Sequence, residues 1–236
     1  MIFAGILAAG LGVRMHRQDI PKQFLLLGDK PIIIHTLEQF FFNINVDKIV
    51  VAVPDSWRLY AEDLVSKYNL MDKEVAVISG GDNKTESIAA VVQYIDEVWH
   101  GADDSILIAH DAIRPFVTQK IINDNIDAAG KYGAAITVVP TNDTIITSDD
   151  GNRIKDIPPK QFMYAEQTPQ SYRFGQLKTV LLQAGDDKIR QESEIGRIYM
   201  QAGKTIHLVL GEHSNIKIVN PYDLEVANAL LKEREP

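Results

Sequence analysis

Two small-residue turns, a few cations and one aspartate carry most of the chemistry written into these 236 residues. The first turn is Leu7-Ala8-Ala9-Gly10-Leu11-Gly12-Val13-Arg14-Met15, followed after a short gap by Pro21-Lys22. Its glycines let the backbone approach a bulky ligand, so that successive N–H groups can face anionic oxygens. Arg14 and Lys22 add two positive charges beside it. The combination suits a nucleoside triphosphate, although small residues follow a strand in many α/β proteins and a lone Gly-x-Gly is weak. Neither familiar phosphate motif is completed. The dinucleotide fingerprint lacks its third glycine near Val13 or Met15, and Gly203-Lys204-Thr205 has Ile198 where a Walker loop needs glycine.

Further clusters recur down the chain. Gly80-Gly81-Asp82-Asn83-Lys84-Thr85-Glu86-Ser87 places two glycines before polar residues that open a helix, and it could read a base edge or ribose or simply cap that helix. His110-Asp111-Ala112-Ile113-Arg114-Pro115 puts an aspartate at the end of an apolar strand, where it needs water, a cation or a metal. Mg2+ takes one or two carboxylates plus phosphate oxygens, which suits Asp111; a structural pair with Arg114 is the alternative. The strand's end points to the ligand edge, which favours the metal. Two more clusters follow, Tyr164-Ala165-Glu166-Gln167-Thr168-Pro169-Gln170 after Lys160, and Asn215-Ile216-Lys217-Ile218. The alternation in the latter sets Asn215 and Lys217 on one face of a short strand. The six histidines form no His-Glu-x-x-His pair, and there is no Gly-x-Ser-x-Gly elbow, so hydrolase readings are poor.

Short β-rich runs alternate with helical patterns and must hold these groups in place. Strands are predicted over Ile2–Ala8, Lys48–Val53, Val75–Ser79, Ser105–Ala109, Ala134–Val139 and Thr205–Leu210. Helical spacing joins Ile34/Leu37/Phe41, Trp57/Tyr60/Leu64, Ile88/Val92/Ile95 and Ile122/Ile126/Ala129, with Ser56 and Thr118 as N-caps. Asn220-Pro221 opens a last helix that buries Leu224, Ala227 and Leu231. The alternation predicts an α/β fold: right-handed βαβ units, a largely parallel twisted sheet covered on both faces, and ligands outside the carboxyl ends of its strands. Residues 1–236 are expected to form one domain. Within it, residues 141–162 interrupt the rhythm as a β-hairpin, Thr144–Thr147 and Arg153–Ile157 around an Asp-Gly turn. An isolated hairpin is marginal in water, so this arm needs a surface, either its own domain or, more naturally, a second subunit.

Composition bounds the rest. Hydrophobic residues make up 45% and charged residues 24%, as in an ordinary globular protein. Cysteine is absent, excluding disulfides and thiol chemistry, and no apolar run approaches the roughly 20 residues that span a bilayer. The N-terminus has no signal-peptide pattern, and a cytoplasmic location is expected. A net charge of −8 argues against general nucleic-acid binding and requires that cations for a polyphosphate be gathered locally.

Taken in order, Leu7-Ala8-Ala9-Gly10-x-Gly-x-Arg14-Met15, Pro21-Lys22-Gln23, Gly80-Gly81-Asp82, His110-Asp111-Ala112-x-Arg114-Pro115, Asp143-Thr144, Thr168-Pro169-Gln170 and Asn215-Ile216-Lys217 resemble the cytidylyltransferases that act on sugar-alcohol phosphates. The resemblance spans nearly the whole chain. It implies a three-layer, Rossmann-like nucleotidyltransferase fold and the reaction of CTP with a polyol phosphate to give a CDP-polyol and pyrophosphate. It also implies that Leu7, Ala8, Ala9, Gly10, Gly81, Asp82, Asn83, Lys84 and Ser87 hold CTP and that Asp111 binds Mg2+. Arg14, Lys22 and Lys217 would surround the α-phosphate as catalytic cations, while Arg114, Thr144, Lys160, Thr168 and Ser193 would hold the acceptor. The hairpin would be a homodimer arm delivering Thr144 and Lys160 to the partner's site. Lys160 stands where arginine is usual, Ser193-Glu194 where Thr-Asp is usual in the methylerythritol branch, and Ser214 where some members are acidic. Pro21-Lys22-Gln23-Phe24, Thr168-Pro169-Gln170-Ser171-Tyr172 and Pro221-Tyr222-Asp223-Leu224 look more like the ribitol branch, so D-ribitol 5-phosphate is the expected acceptor. The alternatives are 2-C-methyl-D-erythritol 4-phosphate and, from another class, a nucleotide-binding regulator without turnover.

Overall fold

A computed structural model describes residues 1–10, 20–70 and 72–234, so Arg14 lies outside the described residues. The chain runs β1 (Ile2–Leu7), β2 (Leu26–Leu27), β3 (Lys30–Pro31), α1 (Ile32–Phe41), β4 (Lys48–Val53), α2 (Arg58–Lys67), β5 (Glu74–Ser79) and α3 (Lys84–Glu97). It continues with β6 (Ile106–Asp111), α4 (Gln119–Tyr132), β7 (Ala134–Pro140), β8 (Tyr164–Arg173), α5 (Phe174–Ala184), α6 (Asp186–Gln191), α7 (Ile195–Gln201), β9 (His207–Leu210) and α8 (Pro221–Arg234).

The sequence of β4 shows why a covered sheet forms. Every residue after Lys48 is apolar and buried. Successive side chains point to opposite faces. Ile49, Val51 and Val53 therefore join α1, α2 and α4 in one core, while Val50 and Ala52 join α3, α5 and α7 in the other. Each such side chain stabilises the fold by about 1.5–3 kcal/mol. Helix, sheet and helix make the three layers.

The strands lie in the order β5-β4-β1-β6-β8-β7-β9 among the described residues. β1 pairs in parallel with β4 and β6, β4 with β5, and β7 with β9. β8 runs antiparallel between β6 and β7. This arrangement brings the ends of β1, β5 and β6 to one rim, while β8 enters that rim from the arm.

Side chains fix the helix starts that open there. Asn83 Oδ1 accepts the Glu86 N–H at 2.9 Å, and Thr118 Oγ1 accepts the Ile121 N–H at 3.4 Å. At α8, Asn220 and Asp223 cap reciprocally, each side chain accepting the other's N–H at 3.0 Å.

Several expectations need correction. Tyr164–Arg173 is a ten-residue strand inside the sheet, not merely a polar cluster, and α5 to α7 were not foreseen. The strand expected over Ser105–Ala109 runs on to Asp111, so His110 and Asp111 belong to β6 itself. Ser56 sits inside a 3-10 turn, Asp55–Trp57, and Trp57 takes the cap position of α2. Asn215–Ile218 forms no strand. The hairpin is reduced to one bridge, Thr147 to Asp156, with its turn held by Asp150 Oδ1 accepting from Asn152 N and Arg153 N.

Candidate functional site

Two clefts meet on the strand rim. The first, about 630 Å³ including its open mouth, is lined by Leu7 to Gly10, Lys22, Gln23, Gly81 to Lys84, Ser87, Asp111, Ile113 and Lys217. All nine residues expected from the sequence to hold CTP are in that lining, together with Lys22, Asp111 and Lys217.

Close packing shapes this cleft. The Ala8 N–H donates to Ala52 O at 2.7 Å, and the buried Gln23 amide donates to Ala8 O at 2.5 Å. Gln23 thus staples the first turn to the 3-10 turn Lys22–Phe24 that carries Lys22. Along one wall of the cleft, a Cβ on Gly80 would lie 2.5 Å from the Ala9 Cβ, so only glycine lets the two small-residue turns touch. The Ser87 hydroxyl accepts the Gly81 N–H at 3.2 Å, and the Glu86 carboxylate accepts the Asp82 N–H at 2.7 Å. Asn83 is consumed structurally: its Oδ1 caps α3 and its amide donates to Ile189 O and Arg190 O. The N-terminus of α3, with its partial positive charge, opens beside this cleft.

The second cleft, about 470 Å³ on the same basis, is lined by Lys84, Asp111, Arg114, Glu166, Gln167, Thr168, Glu194 and Lys217. Lys84, Asp111 and Lys217 belong to both clefts and form the wall between them. Asp111 Oδ2 lies 3.0 Å from Lys217 Nζ and 3.2 Å from Arg114 Nε. Burial by itself would raise the Asp111 carboxyl, but Lys84, then Lys217 and Arg114, outweigh it and hold the group well below the usual carboxylate range.

The Asp111–Arg114 pair weighed from the sequence as an alternative is therefore present, and Lys217 joins it. Arg114 is buried and otherwise occupied, donating through Nη1 to Asn215 O at 2.8 Å and through Nη2 to Glu166 O at 3.5 Å. Beneath it, His110 is fully buried and its ring is pushed down to about 4, by burial first of all. The neutral ring then has one tautomer that fits its neighbours. Nε2 donates to Arg114 O at 3.1 Å, and Nδ1 accepts from the Thr168 hydroxyl at 3.0 Å. Thr168 Oγ1 in turn accepts the Asp111 N–H at 3.1 Å.

Not every expected residue arrives. Ser193 is exposed and lines neither cleft; its neighbour Glu194 lines the second. Thr144 and Lys160 stand on the exposed arm, with Lys160 Nζ donating to Asn142 O at 2.5 Å, and lie outside both clefts of this chain. Thr168 lines the second cleft, but its hydroxyl serves His110 and Asp111. The sequence motifs assign no role to Glu166, Gln167 and Glu194. Their signal was only adjacency to Thr168 and Ser193.

Among the described residues, no group of three or more His, Cys, Asp or Glu is placed to hold a metal. An ionised Asp111 nevertheless supplies the single carboxylate that Mg2+ uses when phosphate oxygens complete its shell, so the residues present fit a substrate-borne ion. No described helix is long and apolar enough to cross a membrane.

The family model described as IspD, 2-C-methyl-D-erythritol 4-phosphate cytidylyltransferase, matches residues 2–233. The 4-diphosphocytidyl-2C-methyl-D-erythritol synthase of Anaerococcus prevotii superposes with a TM-score of 0.82 at 24% identity, covering 98% of this chain and 96% of that one. The 2-C-methyl-D-erythritol 4-phosphate cytidylyltransferase of Francisella tularensis gives 0.78 at 27%, covering 97% and 98%. Its counterpart from Thermus thermophilus gives 0.75 at 24%, covering 98% and 100%. None of these descriptions names ribitol 5-phosphate, the acceptor expected from the sequence motifs; three name 2-C-methyl-D-erythritol 4-phosphate and the fourth names its diphosphocytidyl derivative.

Proposed function

Since this chain belongs to the 2-C-methyl-D-erythritol 4-phosphate cytidylyltransferase family, and is thereby a CTP-dependent nucleotidyltransferase, we propose that it joins the two clefts in one displacement. CTP occupies the first cleft and a polyol phosphate the second. The acceptor phosphate attacks the α-phosphorus, and pyrophosphate leaves. The observation that carries this reading is the shared wall of Lys84, Asp111 and Lys217, the place where a triphosphate and an acceptor phosphate would meet.

The main barrier is charge. Like charges about 4 Å apart repel by ~1 kcal/mol per pair in water and several-fold more in a drier site. No general base is required, because the acceptor phosphate is already ionised at neutral pH. Lys22 and Lys217, with Arg14 by family resemblance, would stabilise charge at the α-phosphate, so catalysis is mainly electrostatic and positional. Mg2+, held by Asp111 and phosphate oxygens, would supply further neutralisation of the triphosphate.

The comparisons favour 2-C-methyl-D-erythritol 4-phosphate as the acceptor. A second reading, D-ribitol 5-phosphate, has its own support. Every residue lining the second cleft is polar or charged, which suits an unbranched chain of hydroxyls better than one bearing a methyl group. Pyrophosphate release, measured with CTP, Mg2+ and each acceptor in parallel, separates the two. Release with methylerythritol phosphate alone is expected from the comparisons, and release with ribitol phosphate alone would reverse the order. Release with neither would overturn the acceptor class.

A further inference from the structure

The second cleft contains an apparent contradiction. It is proposed to admit a phosphate dianion, yet two glutamates line it. Glu166 comes from β8 and Glu194 from the residue before α7, and both side chains are about half exposed, at 45% and 47%. Lys84 Nζ lies 3.6 Å from Glu166 Oε1 and 4.0 Å from Glu194 Oε2, within ion-pair range but beyond a short hydrogen bond. Counting Arg114, Lys217 and Asp111, the cleft holds three cations and three carboxylates.

An ionised carboxylate only accepts hydrogen bonds, with about four lone-pair sites to fill. One ammonium at these distances leaves most of that capacity unused, even with Gln170 Nε2 donating to Glu166. A ligand favoured here must therefore bring donors. The acceptor's phosphate has none at neutral pH, and the cytidine lies in the other cleft, so the donors are the hydroxyls of the polyol chain.

We propose that Glu166 and Glu194 are specificity-determining residues that accept hydrogen bonds from the acceptor's hydroxyls. The cleft thereby selects a phosphate ester carrying vicinal hydroxyls over an equally charged ester without them. Lys84 balances the two carboxylates so that they do not repel the incoming phosphate. Burial, followed by the nearby Glu166 and Asp111, raises the Glu194 carboxyl against the pull of Lys84; this is a partly dry setting in which such hydrogen bonds count for more.

The inference rests on the cytidylyl-transfer reading, and one set of assays separates the two. Initial rates of pyrophosphate release are measured at saturating CTP for the intact protein, Glu166→Gln and Glu194→Gln. The acceptors are methylerythritol phosphate, ribitol phosphate and pentyl phosphate, which keeps the nucleophile and lacks the hydroxyls. The unaltered protein should use pentyl phosphate with kcat/KM lower by about 10² or more, because the carboxylates are then left without donors. Each glutamine variant should raise KM for the polyol phosphate about tenfold, as a charged acceptor becomes neutral, whereas KM for pentyl phosphate should not rise, because the lost carboxylate only repelled its phosphate. Equal use of pentyl and polyol phosphates, or a polyol KM within about threefold of the unaltered value in both variants, overturns the inference and leaves cytidylyl transfer standing. No release with any acceptor overturns both.

Discussion

At the scale of single residues, the firmest object in the site is a hydrogen-bond relay beneath Asp111. The Asp111 N–H, Thr168 hydroxyl, His110 ring and Arg114 carbonyl form one directed chain, and each member is at most 9% exposed. A ring pushed down to about 4 stays neutral near pH 7, so the direction of the relay is fixed there. Thr168→Val removes the hydroxyl and orphans both the Asp111 N–H and His110 Nδ1. Chemical denaturation should show a loss of about 1–3 kcal/mol for each group orphaned, whereas Thr168→Ser, which keeps the hydroxyl, should lose far less. Equal losses in the two variants would show that the threonine methyl, rather than the relay, carries the stability. That Lys22, Asp111 and Lys217 belong together follows in the sequence from the ordered set of motifs rather than from any one of them, and the three line the first cleft. The relay was not legible. Nothing in the spacing of His110 and Thr168 says that β8 will lie antiparallel to β6 and bring them together.

At the scale of elements, the two glycine turns matter less for backbone freedom than for contact. Gly80 lies where a side chain would collide with Ala9, so the β5–α3 turn and the turn after β1 close on each other to form one wall of the first cleft. Gly80→Ala must push them apart, at a cost of about 1–3 kcal/mol. The expected result is weaker CTP binding by calorimetry, with the polyol-phosphate KM much less affected. Unchanged CTP affinity would mean that the turns do not jointly hold the nucleotide. Sequence periodicity points to β1, β4, β5, β6, β7, β9 and, among the described residues, to α1, α2, α3, α4 and α8, because buried parallel strands and amphipathic helices leave dense apolar patterns. It missed β8. That strand reads Tyr-Ala-Glu-Gln-Thr-Pro-Gln-Ser-Tyr-Arg, and two of its buried polar residues find partners far away in sequence: Gln167 in Glu212 O, and Thr168 in His110 and Asn215. Tertiary pairing overrode its weak apolar pattern.

At the scale of the whole molecule, the arm over 141–162 lacks a core of its own. Ile146, Ile154, Ile157 and Phe162 are each more than half exposed, and one bridge holds the strands together. A second copy of the chain is the proposed cover. Light scattering at micromolar concentration should report a dimer, and a chain with 143–157 replaced by a short turn should be a monomer. A monomeric intact protein would remove the arm's proposed role and leave Thr144 and Lys160 without a site.

The position of β8 adds one consequence. Tyr164, where the arm ends, and Glu166 to Thr168, on the second cleft, belong to the same continuous strand, paired on one side with β7 and, farther along, with β6 on the other. The arm is thus a lever whose short end is a wall of the cleft. Clamping the arm should damp motion at that wall, and freeing it should loosen the wall without touching any residue there. In the arm-shortened chain, amide exchange across Gln167 to Gln170 should quicken while β4 and β5, on the other side of β1, stay as protected as before.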